Sequence, residues 1–362
     1  MDMEKQAAFG QRMTDILNQG ALNLAMGLGY KLELFDAMEG ADRPLTAREL
    51  AERAGLSPRY VKEWLGIMAT GAVVEITQAF EDSLGDEIQY FLPPEHAAFL
   101  TRGAGNNNMG VYTQEMPLLT RIAWEEVGKG FKTGEGIPFS AYPKFQDFMG
   151  QLSDAKHEQV LVEKFLPCVD GGRMVEKLES GIRVCDLGCG QGVALALMAR
   201  AFPNSSFVGM DIDPPSVAVA RKRRIPNLEF VQVDVADPGQ MAPWENQFDY
   251  VTAFDAIHDQ SHPMEALMGV RSILVSGGCF SMVDIDAASS HGGNLSHPMG
   301  PFLYAVSLMH CMPQGLDDNG TGLGMMWGRE RAVILLREAG FSHVDVCEMP
   351  HDPFNIHYFC RL

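Results

Sequence analysis

The stretch that most limits how this chain folds lies near its middle. Val184-Cys185-Asp186-Leu187-Gly188-Cys189-Gly190-Gln191-Gly192 runs into Val193-Ala194-Leu195-Ala196-Leu197. The first half reads as a buried strand that ends in a carboxylate, Asp186. Gly188, Gly190 and Gly192, at alternate positions, let the backbone approach a ligand with no Cβ in the way. The helix behind them presents unpaired N–H groups and the positive end of its dipole. Several nucleotide-binding chemistries share such a loop, so by itself it fixes a strand–loop–helix unit and no reaction.

The residues downstream narrow the choice. Phe207-Val208-Gly209-Met210-Asp211 reads as a second strand, and Asp211 at its end can accept both hydroxyls of a ribose. A third strand, Leu228 to Val235, carries Asp234, placed to meet an adenine amino group. A fourth, Phe248 to Phe254, runs into Asp255-Ala256-Ile257-His258-Asp259-Gln260. Strand, loop, helix and strand recur at the rhythm of a doubly wound sheet.

The spacing departs from the dinucleotide pattern G-x-G-x-x-G, because the third glycine comes one residue early and Val193 stands in its place. Strand-Asp-x-Gly-x-Gly-x-Gly resembles the cofactor loop of class I S-adenosylmethionine-dependent methyltransferases. The resemblance covers residues 180 to 285. It implies a Rossmann-like seven-stranded α/β domain that binds S-adenosyl-L-methionine through Asp186, Gly188, Gly190, Gly192, Asp211, Ile212, Asp234, Val235 and Phe254. A nicotinamide cofactor is the competing reading, since a Rossmann-type sheet serves both.

Composition excludes other classes. No run of 18 apolar residues is present, so no membrane span is expected. The N-terminus lacks a basic region followed by an apolar one, so no secretory signal is expected either. Seven cysteines with no CxxC pair suit reduced thiols and a cytoplasmic protein. A formal charge of −19 argues against non-specific binding to nucleic acid or anionic lipid.

The first third reads as helices from residue 3 to about 39, rich in apolar residues such as Leu17, Leu24, Leu28, Leu34, Phe35 and Met38. Such an excess packs on a partner. Thr46 caps the next helix with Glu49 closing a capping box, Gly55 ends it, and Ser57-Pro58 starts another bearing Val61, Trp64, Leu65 and Met68 on one face. Gly71 to Ile76 and Glu87 to Leu92 read as a two-stranded wing. The whole is a winged helix-turn-helix. DNA recognition would need clustered cations. Residues 1–100 hold eight Lys or Arg against 16 Asp or Glu, a net of −8, so the expectation is a dimerising domain. Small-molecule methyltransferases resembling the plant-type O-methyltransferases carry such a domain, which pairs subunits.

Residues 101–180 read as a helical linker with a loop at Lys129 to Pro143, in which Phe139 and Tyr142 face substrate or plug the domains together. Helical segments are expected at 144–148 and 154–165. Residues 181–362 form the cofactor domain, with an insertion at about 287–328. In that insertion Tyr304, His310 and Trp327, among several methionines, are candidate substrate residues; core packing explains them as well. His310-Cys311 lacks a third ligand at helical spacing, so no metal is expected.

His258 follows strand four, where the cofactor's reactive end belongs, and its side chain titrates near neutrality. A His-Asp pair supplies the general base in the plant-type enzymes, and the resemblance carries that role onto His258. Asp284 and Asp286 are candidates to orient it. Gln260 replaces the family's tryptophan after the pair, which weakens the case for an aromatic alcohol. The expected protein is thus a homodimeric methyltransferase of a small molecule, with a hydroxyl as acceptor. S-methylation of a small thioether or thiol acid, which needs no base, is the alternative. A winged-helix transcription regulator that binds the cofactor as a ligand is the non-enzyme alternative.

Overall fold

The computed structural model describes residues 1–78 and 88–362. The chain divides into two compact units, residues 1–121 and 122–362, and the division falls inside the helix Glu115–Thr133. The helical stretch expected at 101–180 is therefore shared between them.

The first unit opens with a 29-residue helix, Met3–Lys31, capped by Asp2, whose carboxylate accepts the N–H groups of Glu4 and Lys5. A short helix, Leu34–Glu39, follows. The capping box is present: Glu49 N–H donates to Thr46 Oγ1 at 3.2 Å, and Thr46 N–H donates to Glu49 Oε2 at 2.8 Å. Gly55 ends that helix at φ 67°, a left-handed value that favours glycine. Val61, Trp64, Leu65 and Met68 are all buried on the next helix, Pro58–Thr70, and Trp64 Nε1–H donates to Ala25 O at 2.9 Å. The wing has one strand more than the sequence suggested. β1 (Leu45–Thr46) joins β2 (Glu75–Gln78) and β3 (Gln89–Phe91) in the antiparallel order β1-β3-β2. Glu87, expected in the second wing strand, lies outside the described residues.

The apolar excess of residues 1–39 is distributed differently from the expectation. Leu34, Phe35 and Met38 fill the unit's own core, whereas Phe9, Met13, Ile16, Leu17, Leu24 and Leu28 stay exposed on the first helix. Their spacing of three, four and seven residues puts them on one stripe.

The second unit is built on seven strands: β4 (Arg183–Leu187), β5 (Ser206–Asp211), β6 (Leu228–Gln232), β7 (Phe248–Phe254), β8 (Leu274–Ile285), β9 (His343–Glu348) and β10 (Asn355–Arg361). Their order is β6-β5-β4-β7-β8-β10-β9. All neighbours pair in parallel except β10, which runs antiparallel to both β8 and β9. The order reverses between β4 and β7, so a crevice opens at the carboxyl ends of those strands.

Element boundaries depart from the sequence reading in three places. The helix Glu115–Thr133 takes in the first five residues of the loop expected at Lys129 to Pro143. β6 stops at Gln232, and Asp234 lies in the turn beyond, where its carboxylate accepts the N–H of Ala236 at 2.9 Å. The helices expected at 144–148 and 154–165 are one helix, Pro143–Val160, continued by a π-helical turn, Leu161–Phe165. Gly150 does not break it, because a helix packed along its length tolerates one glycine at about 1 kcal/mol.

Candidate active site

Gly188, Gly190 and Gly192 all adopt left-handed backbone, at φ 65°, 53° and 75°. Gly188 also permits a close approach, since a Cβ there would lie 2.6 Å from that of Ala256; at Gly192 a Cβ would collide with the ring of Phe230. Gly190 faces open space, and its N–H donates to Asp211 Oδ2 at 2.7 Å. Asp211 Oδ1 accepts the N–H of Asp213 at 2.8 Å, and the carboxylate keeps a lone pair for another donor. Burial pushes the Asp211 carboxyl above its ordinary range, and the N–H groups of Asp213, Gly190 and Ile212 pull it back.

Asp186 is buried and accepts Thr252 Oγ1–H at 2.6 Å. Burial raises its carboxyl to about 7, against that hydrogen bond and with Asp211 adding to the rise. Ile212 is exposed, Val235 is buried, and Phe254 is half-buried. Two rings meet Phe254 edge-on: His157 at 4.9 Å and Phe165 at 5.7 Å between centroids. Both come from the helix and turn spanning residues 143–165, which the sequence left unassigned to the site. Nothing local marks them; their apolar spacing says only that the helix packs.

Beyond β7 the chain turns through Asp255, held at φ 50°. Asn355 Nδ2–H donates to its Oδ1 at 2.6 Å, and Lys156 Nζ lies 3.7 Å from its Oδ2. Next comes His258, only 3% exposed. Its Nδ1 lies 2.7 Å from Oδ1 of the fully buried Asp284, and its Nε2 lies 3.4 Å from Asp259 Oδ1. Burial alone would lower the imidazole's pKa. Asp284 and Asp259 outweigh burial and hold it well above the usual histidine range. Asp286, the other candidate for this partnership, is engaged elsewhere: Arg329 Nε–H and Nη2–H grip its two oxygens at 2.5 and 2.7 Å.

Cys311 joins this cluster, although the sequence singled it out only as a metal ligand to be set aside. Its sulfur, His258 Nε2 and a carboxylate oxygen of Asp259 lie within 4.8 Å of one another. A metal uses these atom types, but pairing of imidazolium with carboxylate already accounts for two of them. Burial pushes the Cys311 thiol up to about 12, so it is a neutral wall of the cluster. His310, buried beside it, is held below its ordinary value by burial, against the pull of Asp259.

Tyr142 is fully buried, stands edge-on to His310 at 4.9 Å, and donates its hydroxyl to Met309 O at 2.8 Å. Phe139 is half-buried one turn earlier. Tyr304 instead belongs to a separate group, where its hydroxyl accepts from Asn294 Nδ2 at 3.0 Å and its ring meets His291. Trp327 is 2% exposed within the core beneath the sheet, with Met282, Leu336, Ile356 and Tyr358. Of the five candidate substrate residues, His310 and Tyr142 are therefore gathered near His258. Tyr304 and Trp327 are held by other partners.

Half-buried His157 and buried His357 make a stability prediction. Burial lowers His157 to about 3 and His357 to about 4. Between those values and about 6.5, the unfolded chain binds protons that the native one refuses. Their contribution is complete above pH 6.5 and is lost as pH falls toward 4. The buried carboxyl of Asp186 and that of Asp154, raised to about 6, act in the opposite sense, so the test is a difference. The fall in melting temperature from pH 7 to pH 5 should be smaller, or reversed, in His157→Gln than in the wild-type protein. Equal changes in the two would remove this contribution.

The fold is that of a class I methyltransferase domain, preceded in the chain by a winged-helix domain. Residues 20–102 match the family described as "Rv2258c-like winged HTH domain", and residues 178–302 match "Methyltransferase domain". Over 115 residues the chain is 30% identical to the phthiotriol/phenolphthiotriol dimycocerosates methyltransferase of Mycobacterium leprae (strain TN), covering 31% of this chain and 41% of that one. Over 151 residues it is 32% identical to a fatty-acid O-methyltransferase of Mycolicibacterium smegmatis, covering 41% and 47%. The chain thus spans less than half of either relative. Solved structures align over nearly the whole chain. Human N-acetylserotonin methyltransferase, crystallised with its cofactor, gives a TM-score of 0.70 at 16% identity, covering 97% of this chain and 96% of its own. Mitomycin 7-O-methyltransferase gives 0.67 at 18% identity, covering all of both chains. At such identities these two speak for the fold alone.

Proposed function

We propose that this protein transfers a methyl group from S-adenosyl-L-methionine to a hydroxyl of a small molecule, with His258 as general base and Asp284 as the residue that orients it. The observation that carries the proposal is the buried His258–Asp284 pair at 2.7 Å, just beyond the strand that borders the glycine loop.

The residues present fit the cofactor. Asp211 keeps acceptor capacity for ribose hydroxyls, Asp234 is partly accessible, and Gly190 leaves open space over the loop. The cofactor supplies an electrophilic methyl carbon; the chain's task is to place the acceptor, exclude water and take up one proton. Asp284 fixes the imidazole so that Nε2 is the atom offered to the acceptor. The acceptor hydroxyl replaces Asp259 at Nε2, and that exchange leaves His258 with one carboxylate partner. Phe139, Tyr142 and His310 would shape the acceptor's surroundings, together with the chain between β8 and the helix Gly328–Glu338. The proton sets the pH dependence. His258 acts only when neutral and its pKa is raised, so turnover should climb with pH through a limb above the ordinary histidine range. A rate limb centred at or below about 6.5 would contradict this environment for the base.

A sulfur acceptor is the second reading, favoured by the two carboxylates around His258, which would stabilise a sulfonium product. The regulator reading has less support. Arg59 on the second helix of the helix-turn-helix is paired with Glu63 at 2.5 Å, and that unit is acidic overall. No helix among the described residues is long and apolar enough to cross a membrane. All seven cysteines are free, which suits the cytoplasm we assign to the protein.

We also propose a homodimer that buries the exposed stripe of Phe9, Met13, Ile16, Leu17, Leu24 and Leu28. The double substitution Phe9→Glu and Leu17→Glu should yield a folded monomer in sedimentation. A dimer of undiminished affinity in that variant would place the interface elsewhere.

A further inference from the structure

Away from the crevice, a cavity of ≈360 Å³ opens between the edge strand β6 and the turn that follows the helix Pro214–Ala220. Arg221 and Arg224 supply its cationic wall, Ile225, Leu228 and Phe230 its apolar floor, and Glu229 one carboxylate. The arginines belong to Arg221-Lys222-Arg223-Arg224, the longest cationic run in a chain of formal charge −19. Arg224 adopts φ 46°, a left-handed conformation that a long side chain seldom takes and that ligand clamps often retain. Volume, two guanidinium groups and an apolar floor are what a small ligand with one charged end requires.

The walls of this cavity are joined to the glycine loop. The Phe230 ring lies so close beneath Gly192 that no Cβ would fit between them, and Arg223 Nε–H donates to Gln191 O at 2.8 Å. Arg221 Nε–H donates to Phe230 O at 2.9 Å, so the cationic turn is tied to the strand. We propose that this cavity binds a small amphipathic anion, an oxyanion carried on a single ring or short acyl body, and that its occupancy biases the glycine loop. Binding there is independent of the reaction proposed above. Its link to the loop requires only that the loop hold a cofactor.

Phenyl phosphate is the probe, measured by calorimetry on the full chain. It should bind once per chain, about ten-fold or more tightly than inorganic phosphate, which lacks the ring, or benzamide, which lacks the charge. Arg224→Asn removes the guanidinium while suiting left-handed backbone, and should weaken the probe about ten-fold with an unchanged melting temperature. Lys222→Gln, outside the lining, should retain it. Probe binding no tighter than that of phosphate, or undiminished in Arg224→Asn, overturns the site. Affinity for S-adenosylhomocysteine should shift about three-fold or more with saturating probe, and the reciprocal shift must match. An unchanged affinity overturns the link to the loop and leaves the site standing.

Discussion

Replacing His258 with asparagine should slow methyl transfer to a hydroxyl acceptor by about 10²–10⁴-fold, the usual worth of a positioned general base. Affinity for S-adenosylmethionine should barely change, because the imidazole meets the acceptor and not the adenosyl group. Asparagine keeps the side chain short and polar, so Asp284 retains a donor and the fold is spared its unpaired carboxylate. Asp284→Asn should cost less and should lower the pH of the rate limb, since the carboxylate raises the imidazole's pKa. The assay is release of S-adenosylhomocysteine from wild-type and variant protein across pH. A hydroxyl acceptor methylated at full rate by His258→Asn would end the general-base role. A sulfur acceptor turned over by that variant at nearly full rate would favour the second reading.

Asp211→Ala should weaken S-adenosylmethionine by about 1.5–3 kcal/mol, the range of a lost hydrogen bond to a charged group. That corresponds to about 10–150-fold in dissociation constant. Part of the loss is indirect. Asp211 Oδ2 accepts the N–H of Gly190, and without it the loop loses the contact that fixes its open face. The sheet should survive, because Asp211 is the last residue of β5 and its backbone pairing with β6 does not use the side chain. Calorimetry giving the same affinity for both proteins would remove the ribose assignment.

The sequence was most informative where local chemistry has one solution. Three left-handed glycines after a buried strand, and Thr46 with Glu49 at a helix start, each constrain the backbone within a few residues. The doubly wound sheet followed from the alternation of strands and helices, since crossover connections leave few topologies. Contacts over long sequence distances were less legible. His157 reaches Phe254 across 97 residues and Asn355 reaches Asp255 across 100, and neither leaves a periodic trace. Asp284 and Asp286 look equivalent in sequence. Only the placement of Arg329, 43 residues beyond Asp286, separates them. Trp327 illustrates the converse: an aromatic next to a glycine loop suggests a ligand wall, yet this ring fills the core beneath the sheet. The apolar residues of the first helices divided on geometry too, since a helix of 29 residues outruns the small unit it serves.

The measurement closest to the central claim is a crystal structure of the protein with S-adenosylhomocysteine. Ribose hydroxyls should lie on Asp211 and the adenine beside Asp234, with the sulfur aimed toward His258 and room for one acceptor between them. A ligand bound elsewhere, or a sulfur turned away from His258 with no path to it, would contradict the account.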